Sequence, residues 1–323
     1  MARIGLVLGA GGVVGQAFHA GVLAAVSEVT GWDPRAAEIL VGTSAGSVAA
    51  ASLRAGVSAE DQFARASGRP LTPAGRALLD GMPPPQSQPV QAARSQRLGP
   101  SSPELLGRLI GRPGALRPAL AVTALLPEGR RDTSSWFAGF DGIFPAGRWP
   151  ERAAWICAVD LGSGKRVVFG RAGSGAPQAT VAQAVQASCA IPAVFRPVVI
   201  GGRRYVDGGV HSPTNADLLA GEGLDAVIVS SPMSAGRGAG SLRAAGRFPI
   251  RRILMREIRQ LDARGTPVLV FEPGQEVLDE MGLQPMDFRR RAPVAEAAVA
   301  SARTCLDGPS GREVGRIIMK SSD

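Results

Sequence analysis

The chain has 323 residues, of which 45% are hydrophobic and 20% are charged, enough for one large domain or two smaller ones. Its three cysteines and two histidines exclude a disulfide framework and a histidine-based zinc protease motif, and we expect no metal and no cofactor. Lysine and arginine together number 36 against 27 acidic residues. No dense basic run with interleaved aromatic residues occurs, so we predict no nucleic-acid partner.

The first part of the chain alternates between strand and helix patterns. An apolar run at 4–8 predicts a buried parallel strand, a glycine-rich turn occupies 9–15, and apolar residues at helical spacing fill 16–29. A second strand at 39–41 runs into another glycine-containing turn, and an alanine-rich helix continues to Leu53. This order is typical of an α/β fold with a parallel sheet.

The composition changes at residue 57, where a proline-rich stretch begins that continues to 149. Its prolines interrupt short helical pieces, so we predict a helical insertion or lid rather than core sheet. Regular strand and helix patterns resume near 154, and residues 235–323 are expected to complete the domain with further helices and a strand. Within that last part, 250–261 predicts an amphipathic helix whose apolar face packs on the core and whose arginines are solvated. Contact of this helix with an anionic membrane is the less favoured alternative.

The second turn, GTSAG at 42–46, has the pattern G-x-S-x-G between a predicted strand and a predicted helix. In that setting a serine lies on a tight turn with its hydroxyl exposed above the sheet. The flanking glycines are needed because a Cβ would collide across the turn, and the following helix directs its positive end at the site. Ser44 is therefore a candidate nucleophile, and a turn that merely caps the helix is the alternative.

The first turn, GAGGVVG at 9–15, has three interpretations. It lacks the sixth-position glycine of a dinucleotide fingerprint and the Gly-Lys-Ser/Thr of a phosphate-binding P-loop. As an oxyanion hole, its glycines would let successive backbone N–H groups converge at a helix N-terminus. Only this third interpretation uses the loop together with Ser44, because adjacent parallel strands place both turns at one edge of the sheet. A purely structural turn is the alternative.

A serine nucleophile needs a base, and three residues are candidates. His19 is predicted to lie inside the first helix, whereas His211 follows the end of a strand. Asp207 ends the predicted strand 203–206, and two glycines after it let the chain turn without blocking the carboxylate. We favour Asp207 over His211, although Asp-Gly-Gly on its own is more typical of a simple turn.

Taken together, three blocks in this order resemble the signature of the patatin-like phospholipase family: GGVVG at 11–15, GTSAG at 42–46 and DGG at 207–209. Two further stretches, ASCAIP at 187–192 and VHSPTN at 210–215, are also similar to that family. The similarity covers 1–56 and about 150–230, and the segment 57–149 does not share it.

The resemblance implies a single domain, a three-layer α/β/α sandwich with a mostly parallel central sheet and a helical lid. It implies a serine–aspartate dyad, in which Ser44 accepts the acyl group and Asp207 is the base that later activates water. The backbone N–H groups of Gly11, Gly12 and Val13 would hold the oxyanion. The substrate expected from the resemblance is a lipid or another acyl ester, as for a phospholipase A, a lysophospholipase or an acyl-ester lipase.

Two positions depart from the family pattern: Val14 stands where the family usually has lysine or arginine, and Ala10 stands where it often has glycine. The loss of that cation weakens the attraction for phosphate and leaves both the preference for phospholipids and the rate open. Two alternatives stay beside the hydrolase: a nucleotide- or phosphate-binding regulatory α/β protein, and a lipid-binding protein without catalysis. No stretch approaches the ~20 apolar residues of a membrane span. We therefore expect a cytoplasmic protein, with peripheral membrane contact as an option and no prediction of its oligomeric state.

Overall fold

The structure is a computed structural model that describes residues 2–80, 91–92, 101–111, 117–144, 148–236 and 239–319. Its strands are β1 (Ile4–Leu8), β2 (Ile39–Thr43), β3 (Gln91–Ala92), β4 (Arg131–Asp132), β5 (Ala153–Asp160), β6 (Arg166–Phe169), β7 (Val198–Ile200), β8 (Arg203–Asp207), β9 (Ala226–Ser230) and β10 (Val268–Phe271). Its helices are α1 (Gly12–Thr30), α2 (Ala45–Arg54), α3 (Ala59–Ser67), α4 (Pro73–Leu79), α5 (Pro103–Gly111), α6 (Pro118–Leu125), α7 (Ser134–Phe137), α8 (Gly139–Ile143), α9 (Val181–Ser188), α10 (Leu242–Gly246), α11 (Phe248–Asp262), α12 (Gln275–Met281), α13 (Arg291–Leu306) and α14 (Pro309–Met319).

An eight-stranded mixed sheet forms the centre of the fold, in the order β10-β9-β1-β2-β5-β8-β7, with β6 also paired to β5. Five neighbouring strands of this sheet, β10, β9, β1, β2 and β5, are parallel to one another. The remaining strands, β6, β7 and β8, join by antiparallel pairing. The expected mostly parallel central sheet is therefore confirmed, with its antiparallel part confined to the side that carries β8.

Helices cover both faces of this sheet. Neighbouring residues of a strand point to opposite faces, so each buried strand contributes side chains to two hydrophobic layers. On β1, Leu6 belongs to a core cluster that includes Phe18 of α1 and residues of α13. Val7 belongs to a second cluster, which contains Leu254 and Leu261 of α11. Two separate hydrophobic layers on one sheet confirm the three-layer α/β/α arrangement.

Helix α11 packs as the sequence pattern predicts. Leu254 and Leu261 are buried against the sheet, whereas Arg252, Arg256 and Arg259 are exposed. We call these three arginines the basic face of α11. The apolar side of α11 therefore packs on the sheet, and its charged side faces solvent.

The segment 57–149 contains α3 to α8 and the short antiparallel pair of β3 and β4. Its proline-rich parts at 81–90 and 93–100 lie outside the described residues. Phe137 and Phe140, from α7 and α8, form a small core with Val185 of α9. The helical character predicted for the segment is confirmed for these elements, while its role as a lid and the single-domain organisation stay predictions.

Helix α1 differs from the expectation that no stretch is long enough to cross a membrane. By length and composition its 19 residues meet that requirement. In the structure, 67% of its apolar window is buried, and it packs against α13, α3 and α2. A central core helix passes the same test of length and composition, because it too is apolar on most sides.

Candidate active site

Ser44 lies on a strained turn between β2 and α2. Its backbone has φ 52° and ψ −120°, a left-handed conformation that costs free energy for a residue with a side chain. A Cβ at position 42 would lie 2.6 Å from Ser47 Cα, and one at position 46 would collide with the Leu8 carbonyl. Both glycines are therefore required by close approach of the backbone, and the turn has the geometry of a nucleophile elbow.

Ser188 supports this turn, and sequence reasoning assigned it no role. The Ser44 N–H donates to Ser188 Oγ at 2.9 Å, and that hydroxyl donates in turn to the Cys157 carbonyl at 2.6 Å. Ser188 is fully buried at the end of α9. The hydroxyl thus ties the elbow to β5, and the only signal for it in the sequence was its place in a stretch similar to the patatin-like family.

Asp207 comes next to Ser44 through the register of three strands. Thr43, at the end of β2, lies opposite Cys157 on β5. Asp207, at the end of β8, lies opposite Ala158, the next residue of β5. A single strand therefore separates the two elements at one level of the sheet, and Ser44 and Asp207 line the same cavity.

The Asp207 carboxylate is buried, with 6% of the residue exposed. Burial raises its pKa from 3.8 to about 6, and the interactions with the Ser44 side chain and the Gly209 N–H partly oppose that rise. The Gly209 N–H donates to Oδ1 at 2.7 Å, which fixes the orientation of the carboxylate. A group with this pKa is ionised at neutral pH and can accept a proton, as a general base must.

The glycine-rich loop leaves several backbone donors available. Gly12 has φ 63°, and a Cβ there would lie 2.7 Å from the Pro285 carbonyl, so only glycine fits. The Val14 N–H donates to that carbonyl at 3.2 Å. Among the described residues, no acceptor takes the N–H groups of Gly11, Gly12 or Val13. Free N–H groups at the first turn of α1 have the character that an oxyanion requires.

The hydrogen bonds of the two histidines among the described residues do not involve the Ser44 hydroxyl. His19 is fully buried and contacts the Gly9 carbonyl through Nε2 at 2.7 Å and Ser230 Oγ through Nδ1 at 2.8 Å. Because a carbonyl can only accept, Nε2 carries the proton, and burial lowers the His19 pKa to about 4. His211 is not among the described residues that line a cavity with Ser44, and its carbonyl accepts from Arg117 at 2.8 Å.

The loop after Asp207 braces both glycine-containing turns. Asn215 Nδ2 donates to Thr43 Oγ1 at 3.0 Å, directly before the elbow. The Pro213 carbonyl accepts the Ala10 N–H at 2.7 Å, at the start of the glycine-rich loop. These contacts explain why the VHSPTN stretch accompanies the aspartate: it holds the three motifs together.

Two cavities meet at Ser44, Gly12 and Ile191. The first, which we call the aromatic cavity, is lined by side chains of the helices of 57–149, including Trp136, Phe137 and Phe140. The second, which we call the aliphatic cavity, also contains Asp207 and is lined by residues that include Val122, Ile250, Met281 and Leu283. A substrate at the serine can therefore extend in two directions.

Apart from Ser44 and Asp207, the described residues at this site provide no strong nucleophile and no metal ligand set. Cys189 lines the aromatic cavity beside Ser44, but burial and the charge of Asp207 raise the pKa of its thiol, so it stays protonated at neutral pH. In the described part of the chain, no group of three or more histidine, cysteine or acidic residues could hold a metal ion. The serine is thus the best-placed nucleophile at the junction of the cavities.

The chain is similar to known proteins both in its sequence pattern and in its fold. The family described as patatin-like phospholipase matches residues 6–220. The fold is similar to VipD from Legionella pneumophila, with 15% identity and a TM-score of 0.46 over 95% of this chain and 67% of that chain. It is also similar to the type III effector protein ExoU, with 14% identity and a TM-score of 0.35 over 94% of this chain and 53%, about half, of that chain. No curated protein sequence matches the chain.

Proposed function

The chain belongs to the patatin-like phospholipase family, and we propose that it cleaves carboxylic esters of lipids with a dyad of Ser44 and Asp207. The observation that carries this proposal is that the serine on its strained elbow lines one cavity together with a buried carboxylate whose pKa the Ser44 side chain lowers. Both side chains border a cavity with apolar walls, which suits an acyl chain.

In the first half of the reaction, the Ser44 hydroxyl attacks the ester carbonyl while its proton passes to Asp207. The tetrahedral intermediate carries a negative oxygen, which the N–H groups of Gly11, Gly12 and Val13 would stabilise at the positive end of α1. Collapse of the intermediate breaks the bond to the alcohol, which leaves with the proton from Asp207. The acyl group then remains on Ser44 as an ester.

In the second half, a water molecule replaces the alcohol. Asp207 accepts a proton from this water, whose oxygen attacks the acyl-enzyme carbonyl. The intermediate collapses, the proton returns to the Ser44 oxygen, and the fatty acid leaves. No histidine is needed, in line with the position of His19 in the core and of His211 outside both cavities.

Peripheral contact with a membrane belongs to the same proposal. Val122 and Leu283 line the aliphatic cavity and are 56% and 82% exposed, and Phe248 at the start of α11 is 59% exposed. The basic face of α11 follows on the same helix. Exposed apolar side chains beside a row of arginines suit an anionic lipid surface, which would present substrate to the open side of the cavity.

The direct test is labelling of the purified protein with a serine-reactive fluorophosphonate, together with turnover of a short-chain aryl ester. We expect the wild type to be labelled and active, Ser44→Ala to be neither, and Asp207→Ala to lose turnover. The matched control His211→Ala should behave as the wild type. Unchanged labelling of Ser44→Ala would overturn the nucleophile assignment, and turnover that depends on His211 rather than Asp207 would overturn the dyad. Absence of labelling and turnover in all proteins would favour a binding function without catalysis.

A further inference from the structure

A buried acidic side chain of α11 is not used by the proposed dyad. Glu257 is 5% exposed and lies on the buried side of this helix. One of its oxygens, Oε2, accepts the Thr214 hydroxyl at 2.6 Å and the Ala216 N–H at 2.9 Å. A carboxylate is costly to bury without such donors, and both of these donors come from residues 211–216, which we call the bracing loop. Glu257 therefore joins α11 to the bracing loop.

The two contacts enclose a strained residue. Asn215 lies between Thr214 and Ala216 and has φ 55° and ψ 31°, a left-handed conformation that costs free energy for a residue with a side chain. Such a conformation persists only where the surrounding structure holds it. The Asn215 amide has a partner of its own, since its Oδ1 accepts from Arg166 Nη1 at 3.1 Å. That contact orients the amide, whereas Glu257 holds the chain on both sides of the strained residue.

The bracing loop contacts both glycine-containing turns. Asn215 is fully buried, and its Nδ2 donates to Thr43 Oγ1 at 3.0 Å, directly before Ser44. The Pro213 carbonyl accepts the Ala10 N–H at 2.7 Å, directly before the N–H groups proposed to hold the oxyanion. A shift of the bracing loop would therefore move the serine hydroxyl and the oxyanion donors relative to one another.

We propose that Glu257 is a positioning residue of the hydrolase, which aligns Ser44 with the backbone donors of the glycine-rich loop by holding the bracing loop. Glu257 is not among the described residues that line the aromatic or the aliphatic cavity, so it acts without touching substrate. The inference rests on the proposed hydrolase function and adds a residue of α11 to it. Small displacements of the reacting groups slow the chemical step, whereas an intact cavity still binds substrate. Loss of Glu257 should therefore lower kcat and leave KM nearly unchanged.

The test uses variants that differ in the acceptor they offer to the bracing loop. Glu257→Gln keeps one oxygen that can accept both donors, whereas Glu257→Leu has none and leaves the Thr214 hydroxyl and the Ala216 N–H without an acceptor. Thr214→Val removes one of the two contacts from the side of the loop, and it takes the place of Glu257→Leu if that protein does not fold. Leu261→Ala is the control, because it opens a cavity in the core beneath the same helix and removes no hydrogen bond.

The substrate is p-nitrophenyl butyrate, a neutral soluble ester, and rates are compared per folded molecule. We expect Glu257→Leu to lower kcat about 100-fold, the loss that a displacement of ~1 Å causes, and to change KM by less than about threefold. Thr214→Val should lower kcat about tenfold, the effect of losing one hydrogen bond to a charged group. Glu257→Gln and Leu261→Ala should each keep kcat within about threefold of the wild type.

Ligand binding distinguishes positioning from a general loss of structure. A trifluoromethyl ketone adds to the serine hydroxyl and mimics the tetrahedral intermediate, so its affinity for Glu257→Leu should fall in step with kcat. Octanoate, which only occupies the cavity, should bind as it does to the wild type. Unchanged kcat in Thr214→Val and Glu257→Leu would overturn the inference. So would losses in Glu257→Gln or Leu261→Ala that are as large as the loss in Glu257→Leu.

Amide hydrogen exchange separates this inference from the hydrolase proposal, because it needs no turnover. In Ser44→Ala protein, peptides that cover 9–15 and 42–47 should exchange faster when Glu257→Leu is added and keep their rate when Leu261→Ala is added. Exchange that Glu257→Leu leaves unchanged would overturn the positioning role even if Ser44 is the nucleophile. Faster exchange in both turns, together with ester turnover that persists in Ser44→Ala, would support the role of Glu257 in holding the turns and contradict the hydrolase mechanism.

Discussion

Replacement of Asp207 by asparagine measures how much an ionised carboxylate in the core lowers the free energy of unfolding. The amide has the same shape, and its oxygen can still accept the Gly209 N–H that now donates to Oδ1 at 2.7 Å. The Gly209 hydrogen bond is therefore retained in the variant. The charge is the main difference between the two proteins.

The size of the effect follows from the pKa of Asp207. Burial raises this pKa from 3.8 to about 6, so the ionised form destabilises the native state by about 3 kcal/mol relative to the protonated form. Below pH 3.8 the carboxyl is protonated in both states and the penalty is absent. Stability of the wild type is thus lost as the pH rises from 3.8 to about 6 and stays reduced above that range. Asparagine does not titrate and escapes this loss.

Urea unfolding followed by the fluorescence of the four tryptophans provides the assay. We expect Asp207→Asn to be more stable than the wild type by up to about 3 kcal/mol at pH 8 and equally stable near pH 3, while its ester turnover is lost. Wild-type and variant midpoints that coincide at pH 8 would refute the desolvation argument. A difference that is the same at both pH values would assign the effect to packing instead of charge.

Four further outcomes test separate parts of the site. In the wild type, kcat/KM for a neutral soluble ester should rise with pH through about 6 as Asp207 ionises, and a flat profile from pH 4.5 to 8 would contradict its role as base. His211→Ala should keep turnover within about twofold at pH 7.5, since the proposed dyad gives its ring no part in proton transfer. Ser188→Ala leaves the buried Ser44 N–H without its acceptor, so it should reduce stability by about 1–3 kcal/mol in urea unfolding, and an unchanged midpoint would speak against this brace. Phe248→Glu, at a side chain that is 59% exposed, should weaken sedimentation with anionic vesicles and leave soluble-ester turnover intact, whereas undiminished sedimentation would argue against membrane contact.

Much of the sheet and both glycine-containing turns could be predicted from the sequence, because their signals are local. Continuous apolar runs predicted β1 and β2, and the glycines of 42–46 fit a turn that only they can form. The position of Asp207 beside Ser44 depended on the order of motifs, since the strand between them, β5, lies over a hundred residues after the elbow. The order of the motifs predicted this position only because all three blocks together matched the pattern of a known family.

The supporting residues could not be found in this way. Ser188 is one serine among many, and its role depends on the distance to a backbone N–H that only the fold determines. Glu257 and Thr214 meet because α11 packs beside the loop that follows Asp207, and Glu257 lies in no recognisable motif. His19 illustrates the reverse case: a residue type associated with catalysis is used to hold the Gly9 carbonyl inside the core.

The most direct test of the serine–aspartate mechanism is to trap the acyl-enzyme and locate it. Wild-type protein mixed with excess p-nitrophenyl ester and quenched in acid within the burst phase should gain the mass of one acyl group, and peptide mass spectrometry should place it on Ser44. Ser44→Ala should gain none. An acyl group on another residue, or turnover that persists in Ser44→Ala, would contradict the mechanism.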